Sequence, residues 1–323
     1  MFPVIKVIGV GGSGSNTVSR MVKRGISGVE LLAVNTDAQA LHFSKGPKSQ
    51  PKKILIGKNI THGLGTGMDA DLGKKAAEES KQEIISALGG PASGGEKPQK
   101  LTDLVFITCG FGGGTGSGAS PVVAEIAKDL GILSVAVITT PFSFEGEQRK
   151  KIAETALENL KDKVDSLLII SNDRLLKVID EKTTVSDAFL ICDDVLSQAV
   201  QGITDLITVP GIINIDFASV ASIIKKSGRA VFGTGKASGE GRAVRAAEQA
   251  IRSPLLDFST QGSKGVLFNV SGYDITLNEV QEAAKVITSN VDPRAQVIFG
   301  AVAGKNNGLK KGELKISVIA TKI

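Results

Sequence analysis

Residues 110–118 read Gly-Phe-Gly-Gly-Gly-Thr-Gly-Ser-Gly and directly follow an apolar run, Leu104 to Cys109. No other feature limits so sharply what the chain can become. Six glycines here let the backbone approach a ligand closely and adopt positive φ at no steric cost. Consecutive N–H groups in such a loop can turn inward onto phosphate oxygens, and a helix that starts there adds partial positive charge. The hydroxyls of Thr115 and Ser117 are further candidate donors. The competing reading is a plain surface turn, which needs one or two glycines rather than six. Ser120 and Pro121 read as the cap and first position of the helix that follows, and Gly131 as its stop.

A second cluster opens the chain. Val4 to Ile8 is strand-like, and Gly9-Val-Gly11-Gly12-Ser13-Gly14 follows with the G-x-G-x-x-G spacing. A dinucleotide fold wants an acid at the end of the second strand, about 20 residues on. Asp37, after Val29 to Val34, stands at that place. These residues permit an NAD site, but they leave the glycine loop at 110–118 unexplained. No Tyr/Lys or His/Asp catalytic set accompanies them, and Tyr273 is the only tyrosine. The Walker A pattern is absent, which excludes an ordinary P-loop enzyme.

The length of 323 residues accommodates two domains. Apolar residues make up 41% and aromatics 4%, with no Trp, so packing rests on Ile, Val, Leu and Ala, as a buried parallel sheet requires. The net charge of +5 is spread along the chain without a basic cluster interleaved with aromatics, and no nucleic-acid partner is expected. Cys109 and Cys192 read as small core residues of a protein from a reducing cytoplasm. His42 and His62 are the only histidines, and no ligand spacing points to a structural metal. The N-terminus enters a strand at once, so no signal peptide is expected. The longest uncharged stretch is too rich in glycine and hydroxyls to span a membrane, so no membrane insertion is expected.

Strand-like runs fall near 4–8, 29–34, 103–109, 132–138 and 166–170, and helical patterns near 14–25, 69–88, 120–130 and 147–163. That alternation predicts an α/β fold with a parallel sheet. Residues 89–100 have the composition of a flexible loop. Residues 183–208 carry the longest helical pattern, which reads as a connection between domains. Helices near 217–226, 239–252 and 277–289 and strands near 229–233, 265–270, 296–302 and 314–321 then predict a mixed sheet. Thr276 and Glu279 form a capping box.

Three further groups carry chemistry. Glu145 and Arg149 follow the strand at 132–138, where a carboxylate can accept from ribose hydroxyls and a guanidinium can face a polyanion. A solvated helix start is the alternative. Phe189 and Asp193 share a helix face, and a ring that stacks beside a carboxylate that accepts two N–H donors suits guanine, not adenine. Taken alone, the ordinary reading of Phe189 is a core residue. Asn172 offers another amide contact. Asn214 and Asp216 open a helix after Pro210-Gly211, where Asp216 is either an N-cap or, with Asn214, part of a polar pair that handles water.

In colinear order these segments resemble the FtsZ family of the tubulin superfamily: Gly11 to Asn16, Val34 to Gln39, Gly112 to Gly118, Phe144 to Gly146, Ala199 to Gly202 and Asn214 to Ala218. The resemblance covers nearly the whole chain. It implies a Rossmann-like parallel-sheet GTPase domain at 1–180, a central helix at 181–208 and a smaller α+β domain at 209–323. It implies a cytoplasmic GTPase that polymerises head to tail into protofilaments and forms the ring at the division site, with division-ring proteins as partners. GTP or GDP with Mg²⁺ would be bound by Gly11, Gly12, Ser13, Gly14, Ser15, Asn16 and Asn35, and by Gly112, Gly113, Gly114, Thr115 and Gly116. Glu145 would contact ribose, Arg149 would lie by the nucleotide, and Phe189, Asp193 and Asn172 would hold guanine. Asn214 and Asp216 would act on the γ-phosphate of the next subunit.

Three departures stand out. Ser219 occupies a position where the family usually has a second acid, which raises the alternative of a GTP-binding structural filament with very slow hydrolysis. The loop at 89–100 is longer than usual. The family's C-terminal linker and terminal peptide do not follow Ile323, so membrane adaptors are expected as partners only if the native protein carries such a tail.

Overall fold

Runs rich in Val, Ile and Leu fold as strands because β-branched side chains pack on a pleated surface buried on both faces. The computed structural model describes residues 3–26, 28–42, 51–91, 101–176, 180, 182–253, 262–289, 291–303 and 309–322. It packs as two units, Met1–Gln201 and Gly202–Ile323.

The first unit runs β1 (Ile5–Val10), α1 (Gly11–Arg24), β2 (Glu30–Asn35), β3 (Lys52–Leu55), α2 (Lys58–Thr61), α3 (Ala70–Glu79), α4 (Lys81–Ala87), β4 (Leu104–Gly110), α5 (Gly114–Asp129), β5 (Leu133–Thr140), α6 (Glu147–Lys161), β6 (Ser166–Ser171) and α7 (Asn172–Leu175). Helix α8 (Val185–Thr208) starts in this unit and ends in the second. The strand order is β3-β2-β1-β4-β5-β6, with every neighbouring pair parallel. The order reverses direction between β1 and β4. At such a switch point, crossovers leave in opposite directions and open a crevice at the carboxyl ends of the strands. Helices α1 and α5 both begin there, α1 immediately after β1 and α5 four residues after the end of β4.

Three sequence expectations change. Helix α5 begins at Gly114, not at Ser120, and Pro121 lies inside it. Three of the six glycines of the signature run, Gly114, Gly116 and Gly118, thus lie in the first turns of a helix. They are tolerated because packing overrides propensity: a Cβ on Gly114 would collide with Thr66, and one on Gly118 with the Ala70 carbonyl. The helical stretch at 69–88 is two helices that part at Ser80, whose hydroxyl is bonded to the Gly57 N–H at 3.1 Å instead of capping α4. Strand β3 and helix α2 have no counterpart in the sequence pattern. The expected flexible loop lies, from residue 92 to 100, outside the described residues.

The second unit runs α9 (Phe217–Ile224), β7 (Gly228–Ser238), α10 (Arg242–Ile251), β8 (Gly265–Gly272), α11 (Leu277–Thr288), β9 (Gln296–Ala303) and β10 (Glu313–Thr321). Its order is β7-β10-β8-β9, with two antiparallel pairs and one parallel pair, the mixed sheet the sequence predicts. Val231, Phe268, Val270 and Ile316 build its core with Ala246, Ala250 and Ala283. Arg242, nearly buried, ties α10 to α11 by donating to Glu279 at 2.6 Å and Asp274 at 2.8 Å. The Thr276 capping box forms as the sequence predicts. No helix among the described residues is long and apolar enough to cross a membrane.

The contact of α3 with α5 gives a direct test. In an open helix, Gly→Ala adds about 1 kcal/mol of stability. At Gly118 the added methyl meets backbone of α3, and overpacking costs typically 1–3 kcal/mol. Gly118→Ala is expected to lower the urea midpoint. A raised midpoint would show that the two backbones are not in close contact.

Candidate functional site

A helix start leaves N–H groups without intrahelical partners, and proteins usually cap them with a side chain. This chain does so at α3, where Asp69 accepts from Leu72 N, at α9 through Asp216, and at α11 through Thr276. Neither α1 nor α5 has a side-chain cap, which they share with α4, α6, α7 and α10; unlike α4, α6 and α7, neither has an acid in its first turn. Their N-caps are Val10 and Gly113, which offer no side-chain oxygen. Two partial positive ends therefore point into one crevice, of about 270 Å³.

The glycines divide into two roles. Gly11 needs its φ of +72°, and a Cβ there would lie 2.7 Å from Gly116 N, so it lets the two helix starts approach each other. Gly14 is buried, with a Cβ position 2.5 Å from the Thr108 carbonyl; it fits α1 against the sheet. Gly116 likewise lies against the Gly110 carbonyl. Gly112, at φ +102°, turns the loop beside Arg149. Only Gly12 and Gly113, of the glycines in these two loops, face open space, with nothing within 4 Å of an added Cβ. Both line the crevice, with Ser13, Gly114, Thr115 and Gly116.

The expected hydroxyl donors are partly committed elsewhere. Thr115 Oγ1 pairs with Thr36 Oγ1 at 2.6 Å and Thr66 Oγ1 at 3.2 Å. Ser117 turns away and accepts from Gly112 N at 3.0 Å. Ser15 and Asn35 are buried, and Asn35 donates to Ser15 Oγ at 3.2 Å while accepting from Asp37 N; they brace the crevice and do not line it. Asn16 is exposed. Asp37, the acid a dinucleotide site would need, accepts from Gln39 N and Ala40 N and closes its own turn, so the NAD reading loses its ribose contact.

The crevice lining also has an aromatic and acidic part. Phe189 is 41% exposed and meets Phe142 edge-on at 5.4 Å, so it is not a core residue. One helical turn on, Asp193 is buried. Its Oδ1 accepts from Ser13 and Thr17 at 3.5 Å each, and its Oδ2 lies 3.3 Å from Arg20 Nε. Burial pushes its carboxyl up to about 6, against the Arg20 charge and the two hydroxyls that pull it down. Asn172 is buried on the crevice wall, and its Oδ1 has no hydrogen-bond partner, which is uncommon for a native amide. Glu145 accepts from Phe142 N and pairs with Arg149, both at 2.8 Å, so Arg149 is an ion-pair partner and not a free cation. Cys192 is also on the wall. Burial pushes its thiol, like that of fully buried Cys109, up to about 12, and both stay inert.

Sequence reasoning missed Thr66, Thr139, Phe111 and Pro141 in the lining. Thr66 had a legible signal: it sits in a third glycine cluster, Gly63-Leu-Gly-Thr66-Gly67. A larger cavity of about 490 Å³ lies among α3, α5 and α6, with Lys74 and Lys151 on its rim, but neither helix start opens into it.

Asn214 and Asp216 belong to the second unit. Asn214 Oδ1 accepts from Gly211 N at 2.7 Å, and Asp216 caps α9 by accepting from Ser219 N at 2.6 Å. The N-cap reading is thus the observed one. The hydrogen bonds from Ser219 hold the Asp216 carboxyl below its ordinary range. The segment is tied to β9 by Ile212 N and Ile213 N, both donating to the Ala301 carbonyl, and Ile212 stands 70% exposed. Among the described residues no cluster of three or more His, Cys, Asp or Glu is arranged to hold a metal.

A doubly wound unit with two open helix starts at its switch point defines a nucleotide-binding α/β protein, and comparison with known proteins makes the class specific. Residues 4–180 match the GTPase domain of the Tubulin/FtsZ family, and residues 228–323 match the C-terminal domain of the FtsZ family. An empty FtsZ dimer from M. jannaschii superimposes with a TM-score of 0.88 at 41% identity, covering 99% of this chain and 88% of that one. A point mutant of an FtsZ from M. jannaschii gives 0.88 at 42%, over 99% and 91%. CetZ2 from Haloferax volcanii, a GTPγS-bound protofilament, shares the fold with a TM-score of 0.79 at 22% identity, over 98% and 92%. The chain belongs to the Tubulin/FtsZ family. It is a GTPase of that family, with polymer-forming homologues.

The two kinds of glycine separate fold from binding. Gly113→Ser projects into open crevice and is expected to lower GDP affinity at least tenfold with an unchanged urea midpoint. Gly114→Ser collides with Thr66 and the Asp69 backbone and is expected to lower the midpoint itself. Full GDP affinity in Gly113→Ser, measured by calorimetry, would show that the phosphates lie elsewhere.

Proposed function

We propose that the chain binds GTP in the crevice of the first unit, with the phosphates on the open starts of α1 and α5 and guanine between Phe189 and Asp193. The observation that carries this is the pair of uncapped helix starts facing one crevice that is also lined by an exposed ring and a buried carboxylate. Gly12, Ser13, Gly113, Gly114, Thr115 and Gly116 supply backbone donors. Gly11, Gly14, Ser15, Asn35 and Gly112 set the shape of the cradle. Asn172 satisfies its open amide on the base or sugar, and Glu145 retains acceptor capacity for the ribose while it anchors Arg149. Mg²⁺ enters with the nucleotide, whose phosphates provide most of its oxygen ligands.

The reaction needs a water aimed at the γ-phosphate and charge stabilisation, with little covalent chemistry from the protein. Asn214 and Asp216 provide this to the nucleotide of the next subunit in a head-to-tail protofilament, so that hydrolysis follows assembly. Their segment suits this role because it is pinned to β9, exposed, and carries a carboxylate that stays ionised at neutral pH. The protofilaments form the division ring in the cytoplasm, with division-ring proteins as partners. Ser219 stands where the family has a second acid, and its backbone N–H donates to Asp216.

The test measures phosphate release against protein concentration. The rate per subunit is expected near zero below a threshold and to rise where filaments form. Asp216→Asn retains the N-cap, since Asn caps as well as Asp, but removes the charge. It is expected to bind GTP and assemble normally and to lose most hydrolysis. Mixing it with Gly113→Ser protein is expected to restore part of the rate, because the defects lie on different faces. A rate per subunit independent of concentration would contradict the split site.

A further inference from the structure

The groups around Asp193 form an arrangement that the phosphate and base assignments leave unexplained. Arg20 and Arg24, one turn apart on α1, both reach across to α8. Arg24 Nη2 pairs with Asp194 at 2.6 Å. Arg20 lies 3.8 Å from Asp194, but its Nε is 3.3 Å from Asp193 Oδ2 and its Nη1 donates to the Leu190 carbonyl at 3.0 Å. Arg24 thus takes up Asp194, and Arg20 is left to clamp the turn of α8 that carries Phe189 and Asp193. Arg20 is not on the crevice wall, whereas Asp193 is.

We propose that Arg20 is the positioning residue for base choice: it orients Asp193 and balances its charge, so that the crevice presents a two-acceptor fork to the paired N–H donors of guanine. This rests on the base site proposed above. The chemistry is a matter of protons. An ionised carboxylate only accepts hydrogen bonds, and it matches guanine N1–H and N2–H. A protonated one carries a donor and an acceptor, the complement of the N1 and N6-amino edge of adenine.

Every neighbour of Asp193 bears on that balance. From α1 come the Arg20 charge and the uncharged Ser13 and Thr17 hydroxyls; from its own helix come Asp194, already paired with Arg24, and the neutral Cys192 thiol. Across the crevice, Glu145 is paired with Arg149, and Asn172 is uncharged. Neither histidine lines the crevice. Burial already raises the Asp193 carboxyl to about 6, and Arg20 is the largest influence that lowers it. Without Arg20 the carboxyl takes up its proton at a higher pH, and the site ceases to read guanine in the neutral range.

The experiment measures GDP and ADP affinity by calorimetry from pH 5 to 8.5, below the assembly threshold, for the wild type, Arg20→Gln, Arg20→Lys and Asp193→Asn. The ratio of the two affinities cancels the titration of the diphosphate itself. In the wild type the preference for GDP is expected to fall as pH drops through about 6. In Arg20→Gln that midpoint is expected to rise by a unit or more, so the preference at pH 7 falls about tenfold and recovers at pH 8.5. Arg20→Lys, which keeps the charge, is expected to return most of the midpoint. Recovery at high pH separates this effect from misfolding. An unmoved midpoint in Arg20→Gln, with affinity equally weaker at all pH, would overturn the proposal and leave the base site standing. Equal GDP and ADP affinity in the wild type, or no effect of Asp193→Asn, would overturn both.

Discussion

Two helices that begin at the switch point of a parallel sheet carry N–H groups that no side chain caps, and much of the first unit is arranged around that condition. Oriented peptide dipoles concentrate about half a positive charge at each start. Placing two such ends side by side is unfavourable without an anion, and it requires that the backbones come close. Gly11 against Gly116 provides that approach, while Gly14 against Thr108 seats α1 on β4. The rest of the signature run serves a different contact, because Gly114 and Gly118 lie where α3 passes over α5. One run of glycines thus builds the cradle and the helix packing that supports it.

The aromatic and acidic part of the crevice is set by burial rather than by backbone. Asp193 is held by long hydroxyl contacts and one arginine, so its acceptors remain available while its charge is compensated. Phe189 is exposed and meets the buried Phe142 edge-on. A ring and a carboxylate one helical turn apart are common in cores. Exposure of the ring, combined with burial of the acid, makes this pair a base-reading candidate.

The parallel strands other than β3 were legible in the sequence because each is a nearly continuous apolar run, and β1 and β4 are both followed by glycine loops that declare their carboxyl ends. The start of α5 was not, since glycine's poor helix propensity and the Ser120-Pro121 cap signal both argued for a later start. Packing against α3 outweighed them. Strand β3, only four residues long with two lysines, carries too little apolar pattern to announce itself. Thr66 was missed because its glycine cluster follows no clear strand. Glu145 and Arg149 were read as two separate contacts, whereas spacing by one turn also pairs them with each other. The capping role of Asp216 was readable from its position before an apolar helical stretch, but local pattern alone did not choose between cap and chemistry.

The central claim is that phosphate is held by the backbone starts of α1 and α5. Backbone amide resonances of Gly12, Ser13, Gly114 and Thr115, followed during titration with inorganic pyrophosphate and, separately, guanosine, test it most directly. The account predicts that pyrophosphate shifts the amides at both helix starts, and that guanosine alone perturbs Phe189 and Asp193 while leaving those amides in place. Pyrophosphate binding that leaves both helix starts unshifted, with changes elsewhere in the unit, would contradict it.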